Sequence, residues 1–133
     1  MGTTALSERL PHGGVSQQII GAYYDVYNAL GHGFLEVVYR RAMTVALRKR
    51  GLDVQVEAPY SVYFTGELVG EYRADILVER SVIVECKAVE RFTGTHEDQI
   101  VNYLRASGLS VGLLLNFGPR AAVRRVSRSS PKK

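Results

Sequence analysis

Cysteine is nearly missing from this chain: Cys86 is the only one among 133 residues. A single thiol excludes an intrachain disulfide and points to a reducing, cytoplasmic setting. Long apolar runs are missing as well. None approaches the roughly 20 residues that a membrane-spanning helix needs, so no partnership with a membrane is expected. The polar opening MGTTALSERLPHGG has no secretion-signal core, and residues 1–15 read as a flexible lead. No internal repeat is visible. Acid is absent from residue 120 onward, where Arg120, Arg124, Arg125, Arg128, Lys132 and Lys133 stand alone. That leaves 11 of the 17 basic residues against all 13 acids in the first 119 positions. A basic end on a mildly acidic body suits a polyanionic partner, although a merely solvated tail would have the same composition.

What is present is the composition of an ordinary globular protein, 46% hydrophobic and 23% charged, long enough for one domain with a core. That domain is expected over 16–127, with 128–133 as a basic tail. Ile19, Ile20, Tyr23, Val26, Tyr27 and Leu30 recur at helical steps, which predicts a helix over 16–30 capped by Ser16 and broken by Gly31-His32-Gly33. Tyr23, Tyr24 and Tyr27 read as its packing residues. FLEVVYRRAMTVALRKRG predicts a second helix stopped by Gly51, with Leu35, Val38, Ala42, Val45, Ala46 and Lys49 as its inward stripe. DVQVEA, YSVYFTG, LVGEYRADILV and SVIVECKAV read as three or four strands. THEDQIVNYLRASG then predicts a helix capped by Thr95 and ended at Gly108, followed by a buried strand LSVGLLLNF and a short edge strand AVRRV. Strands on both sides of a crossover helix imply an α/β fold, a mixed central sheet flanked by helices.

Charges lie inside two of these strands. Taking Val78 opposite Val82 across Glu79-Arg80-Ser81 sets Asp75 opposite Glu85 and Arg73 opposite Lys87. Alternation then sends Asp75, Glu85 and Lys87 to one face. Opposed carboxylates lie about 5 Å apart at Cβ and repel, so the pair needs a counter-charge. Lys87 can supply one; a hard divalent cation, Mg²⁺ or Mn²⁺, can supply more. A tolerated ion-pair cluster is the competing explanation, but buried pairs contribute little net stability.

Asp75, nine intervening residues, then Glu85-Cys86-Lys87 resembles the signature of the PD-(D/E)XK nuclease superfamily. Gly33 to Tyr39, GFLEVVY, resembles the motif of the GxxExxY protein family, a bacterial group within it. Further similarity lies in EAPYSVYFTGELVGEYRADILV, HEDQIVNYLRASGLSVGLLLNFG and the closing RRV, with Ala74 where the superfamily usually has proline. The resemblance implies a restriction-endonuclease-like α-β-β-β-α-β core with an extra N-terminal helix. It also implies a metal-dependent nuclease acting on nucleic acid, DNA foremost. Asp75 and Glu85 would be metal ligands, assisted by Glu36, and Lys87 the catalytic lysine. Gln99 and Tyr103 resemble a Q-xxx-Y element that positions the lysine and the strand. The alternative is an inactive nuclease-fold module that binds nucleic acid or a protein partner.

Several residues carry plainer readings beside these. Arg73 could reach a phosphate, or pair with Glu71 or Glu85. His96, in the first turn of its helix, is a substrate-contact candidate whose ordinary role is capping. Arg124 and Arg125 are expected to grip backbone phosphates. Cys86 should point into the core, His32 should be structural, and Asn116 should end its strand. A domain this small leaves a homodimer open as the means of substrate choice.

Overall fold

The computed structural model describes residues 12–128; the expected 1–15 lead and 128–133 tail fall largely outside them. Helix α1 (His12–Leu30) and helix α2 (Glu36–Lys49) come first. The strands β1 (Val54–Phe64), β2 (Glu67–Val78) and β3 (Val82–Lys87) follow, then helix α3 (Gly94–Ser107), β4 (Val111–Asn116) and β5 (Ala122–Ser127). The strands form one mixed sheet in chain order. β3 and β4 are parallel across the α3 crossover, and every other neighbouring pair is antiparallel. Helices α1 and α2 cover one face and α3 the other, giving two apolar layers with the sheet between them. No helix among the described residues is long and apolar enough to cross a membrane.

Element order and sheet type match the sequence expectation, while several boundaries and faces move. Helix α1 starts at His12, so Ser16 lies inside it, buried, its hydroxyl without a hydrogen-bond partner among the described residues, and it is not the cap. The two segments expected before Gly66 are one 11-residue strand running through Pro59, which an edge strand tolerates. Thr93, not Thr95, is the N-cap of α3, and Gly108 ends it in the left-handed region at φ 79°. The stripe expected to face inward from α2 does so only in part, through Ala42 and Ala46. Tyr39, Met43 and Leu47 are fully buried there, whereas Leu35 is 76% and Val45 54% exposed. Ala42, Val45 and Ala46 also line an open groove against Val26 and Leu30 of α1. The sheet takes one strip of α2 and α1 takes the next, so a single hydrophobic face read from the sequence splits between two neighbours.

The strands that carry the charges also depart from simple alternation. Val54 and Ile76 belong to the layer under α1 and α2, but Ala58 and Ala74 belong to the layer under α3. Pairing stays in register across this level, Val56 with Ile76 and Ala58 with Ala74. The residues between are Glu57, whose φ is 52°, and Asp75. Both strands therefore switch faces where Asp75 sits.

The split face of α2 has a measurable consequence. Leu47→Ala should cost about 2–5 kcal/mol, as large-to-small changes in packed cores do, and Val45→Ala less than about 0.5 kcal/mol. Urea unfolding monitored by circular dichroism gives both values, and similar costs at the two positions would contradict the packing described.

Candidate active site

The β2–β3 ladder has the register expected from its turn, Val78 with Val82 and Ile76 with Val84, but it stops there. Beyond Ile76 the strands part, and side chains bridge the gap. The Asp75 amide donates to Glu85 Oε2 at 2.9 Å, and the Cys86 amide donates to Asp75 Oδ2 at 2.9 Å. Each carboxylate thus caps the opposite strand where a backbone carbonyl would otherwise stand. This crossed pair, rather than a regular co-facial ladder, is what brings the two acids together.

The surrounding elements close on the pair from both faces. From α2, Arg40 Nη1 lies 3.5 Å from Asp75 Oδ1, with the Asp75 side chain only 17% exposed. Glu36, the first residue of α2, accepts the Ala88 amide on Oε2 at 3.2 Å, which sets it beside the end of β3. From α3, Gln99 Oε1 accepts from Lys87 Nζ at 3.1 Å, and its amide nitrogen donates weakly to the Tyr103 hydroxyl at 3.4 Å. Asp75, Glu85, Lys87, Glu36, Gln99 and Tyr103 therefore form one connected neighbourhood.

The loop that aims Glu36 explains the Gly33 and Tyr39 spacing. Gly33 adopts φ 120°, which only glycine takes without strain. The buried Tyr39 hydroxyl donates to Gly31 O at 2.5 Å and accepts the Phe34 amide at 3.1 Å, tying the turn before Glu36. Its ring stacks on Phe117 at 4.5 Å and 13°. Asn116 does more than end its strand. Its side chain accepts from Val89 N at 3.0 Å and donates to Val89 O at 2.8 Å, fixing the loop that leaves Lys87.

Other sequence candidates have contacts or exposure of their own. Arg73 pairs with Glu71 at 3.6 Å. His96 Nδ1 accepts the Thr93 amide at 3.0 Å and so holds the start of α3, as a capping residue does. Arg124 pairs with Glu97 of α3, and Arg125 stands exposed on the outer strand β5. Cys86 is fully buried among the α1 and α2 contacts, as expected. Arg40 is the residue that sequence reading missed. Its only signal was a position one helical turn after Glu36.

Burial sets the electrostatics. Glu85, 2% exposed, has its carboxyl pushed up to about 8, by desolvation first and by the charge of Asp75 second. The Asp75 amide, Lys87 and Arg40 offset only part of this. Asp75 is raised too, again by desolvation, against the pull of the Cys86 amide, Arg40 and Lys87. Burial beside these acids lifts Tyr103 to about 12, which keeps its hydroxyl neutral. The pair is thus short of positive charge and retains a proton near neutrality.

No three His, Cys, Asp or Glu side chains among the described residues form a complete metal cage. Mg²⁺ does not require one; it binds through one or two carboxylates and keeps water and phosphate as its other ligands. Asp75 and Glu85 each spend one oxygen on a backbone amide, so a cation would meet Glu85 Oε1 and Asp75 Oδ1, the latter shared with Arg40 Nη1 at 3.5 Å. The oxygen-only donor set and its charge deficit fit a hard divalent ion, with Glu36 at the rim.

The raised carboxyl has a signed consequence for stability. Glu85 binds its proton more tightly folded than unfolded, so its contribution is whole below pH 4.5 and is lost as pH rises to about 8. In metal-free buffer, the melting temperature of the wild type should fall across that window more than that of Glu85→Gln, which keeps an acceptor for the Asp75 amide. Parallel curves would show that Glu85 is ionised throughout.

A sequence profile of the PD-(D/E)XK nuclease superfamily matches residues 14–128. No curated protein matches the chain. Among solved structures, the crystal structure of SSO0001 superposes with a TM-score of 0.57 at 19% identity, covering 71% of this chain and 50% of that one. The chain therefore spans half the length of that protein. Hjc, a Holliday junction resolvase from the archaeal hyperthermophile Archaeoglobus fulgidus, gives a TM-score of 0.43 at 21% identity, over 68% of this chain and 75% of its own. An alkaline exonuclease from Laribacter hongkongensis gives 0.43 at 13% identity, over 97% and 73%. The profile match takes in almost every described residue, from α1 past β5, and the chain belongs to the PD-(D/E)XK nuclease superfamily.

Proposed function

We propose that this chain is a metal-dependent nuclease that hydrolyses phosphodiester bonds in nucleic acid, DNA foremost. Within its superfamily we assign it to the GxxExxY group, on Gly33, Glu36 and Tyr39. The observation that carries the reading is the crossed pair Asp75–Glu85, buried and short of positive charge, with Lys87 held beside it. In this reading Asp75 and Glu85 hold Mg²⁺ or Mn²⁺, with Glu36 assisting from α2. When bound, such an ion neutralises phosphate charge and lowers the pKa of a water molecule.

The chain's own groups then divide the remaining work. Lys87 Nζ, oriented by Gln99, donates a hydrogen bond to the attacking oxygen or to the phosphate oxygen on which charge builds. Tyr103 steadies Gln99 from the next turn of α3. Glu36 anchors the backbone after Lys87 through the Ala88 amide and keeps the amine in place. Arg40, Arg124 and Arg125 supply positive charge for the substrate backbone. The single buried thiol suits a reducing cytoplasm.

Two measurements test the assignment. Lys87→Ala should lower cleavage of labelled DNA by about 10²–10³-fold, the usual cost of losing one such donor, while keeping metal affinity. Cleavage equal to wild type would trace the activity to a contaminant. Asp75→Ala should remove Mg²⁺ and Mn²⁺ binding in calorimetry. A wild type that binds neither ion would leave the chain a nuclease-fold binding module.

A further inference from the structure

A second recess lies on the α3 side of the sheet, and the chemistry above makes no use of it. It measures about 450 Å³ and sits between the outer half of the β1–β2 hairpin and the later turns of α3. Ser61, Tyr63, Tyr72, Asn102 and Arg105 line it. The β1–β2 ladder slips between Val62 and Tyr63, and both of these consecutive residues reach the recess. Bulges re-aim side chains in this way, often beside functional sites. Tyr63 remains 64% exposed, which core packing does not explain.

The lining has a recognisable chemistry. Two phenol rings offer flat apolar faces, Asn102 offers a donor and an acceptor on one amide, and Ser61 adds a hydroxyl. Arg105 is the only charged residue in the lining, and no acid is present. Glu71, paired across the strands with Ser61, lies 3.6 Å from Arg73 and is partly neutralised by it. The recess is also joined to the acid pair. Lys87 bonds Gln99, Gln99 bonds Tyr103, and Tyr103 meets Tyr72 edge-on at 5.6 Å. Asn102 and Arg105 follow Gln99 by about 4.5 and 9 Å along the helix axis, from the rise per residue.

The geometry points to a subsite for one unpaired nucleobase: the base stacks on Tyr63 and Tyr72, Asn102 and Ser61 meet its edge, and Arg105 takes the flanking phosphate. The volume suits a nucleoside and cannot admit a duplex, and a paired base would first have to leave its stack. The inference rests on the nuclease reading for its substrate class and narrows it to nucleic acid that is single-stranded beside the bond to be cut.

The test measures binding of the full chain in EDTA, where metal-dependent cleavage is absent. The probes are a short single strand carrying 2-aminopurine and a blunt duplex of the same length. The single strand should bind more tightly, with quenched fluorescence. Tyr63→Ala should weaken it by about 10- to 100-fold, in line with the loss of one base–aromatic stack. The same variant should lose the quench, leave duplex binding within about twofold, and leave the melting temperature unchanged; Tyr63→Phe should behave as wild type. Absent single-strand binding, equal losses on both probes, or no loss overturns the subsite. A change of mass in light scattering for Tyr63→Ala also overturns it, because the hairpin would then be a self-interface. The two readings fail separately. A chain that binds single strands through Tyr63 but never cleaves keeps the subsite and loses the nuclease assignment. Cleavage that ignores Tyr63 does the reverse.

Discussion

Two carboxylates hold two diverging strands together, and the rest of the site depends on that exchange. Past Ile76 and Val84 the backbone ladder ends, and Asp75 and Glu85 each accept the amide of the other strand. Where the accepting carboxylate is ionised, such a bond is charge-assisted and stronger than the neutral one it replaces. They also hold two acids where water is scarce, and this is costly unless positive charge is near. Arg40 approaches from one face and Lys87 from the other, and together they leave the pair undercharged. In the proposed function a hard cation would supply the missing positive charge.

Precision at this spot comes from uncharged residues around it. Tyr39 ties the turn before Glu36, and its ring packs on Phe117 at the end of β4. Tyr23 donates to the Asn116 carbonyl and accepts the Ala122 amide at 2.9 Å, joining α1 to the same strand end. Gly118 leaves no room for a side chain, since an added Cβ would lie 1.9 Å from the Val89 carbonyl oxygen. Aromatic rings, one buried amide and one glycine therefore fix the loop after Lys87. Groups held this firmly need little rearrangement when a substrate arrives.

Much of this was legible from residues alone. The three-residue turn at Glu79-Arg80-Ser81 gave the observed β2–β3 register, and Cys86 was placed correctly in the core by parity. Less legible was which part of a helix faces what. On α2 the apolar positions form a band wider than one neighbour covers, so Val45 read as core although it lines a groove. Thr93 and Thr95 offer the same capping chemistry two residues apart, and only the backbone of the folded chain separates them. Arg40 has no mark beyond its place one turn after Glu36, since its contact arises only when α2 lies over the gap beside Asp75.

The sequence by itself determined the order of elements, the mixed sheet and the presence of charges inside apolar strands. Hydrophobic periodicity, turn residues and charges inside apolar strands are local properties that any reading can recover. The tertiary structure alone decided how those charges meet. Alternation would have set the acids side by side on a regular ladder. Instead both strands switch faces at Glu57 and Asp75, the ladder stops, and the carboxylates cross. That outcome depends on helices pressing from both sides of the sheet, and such long-range packing leaves no periodic trace in the chain.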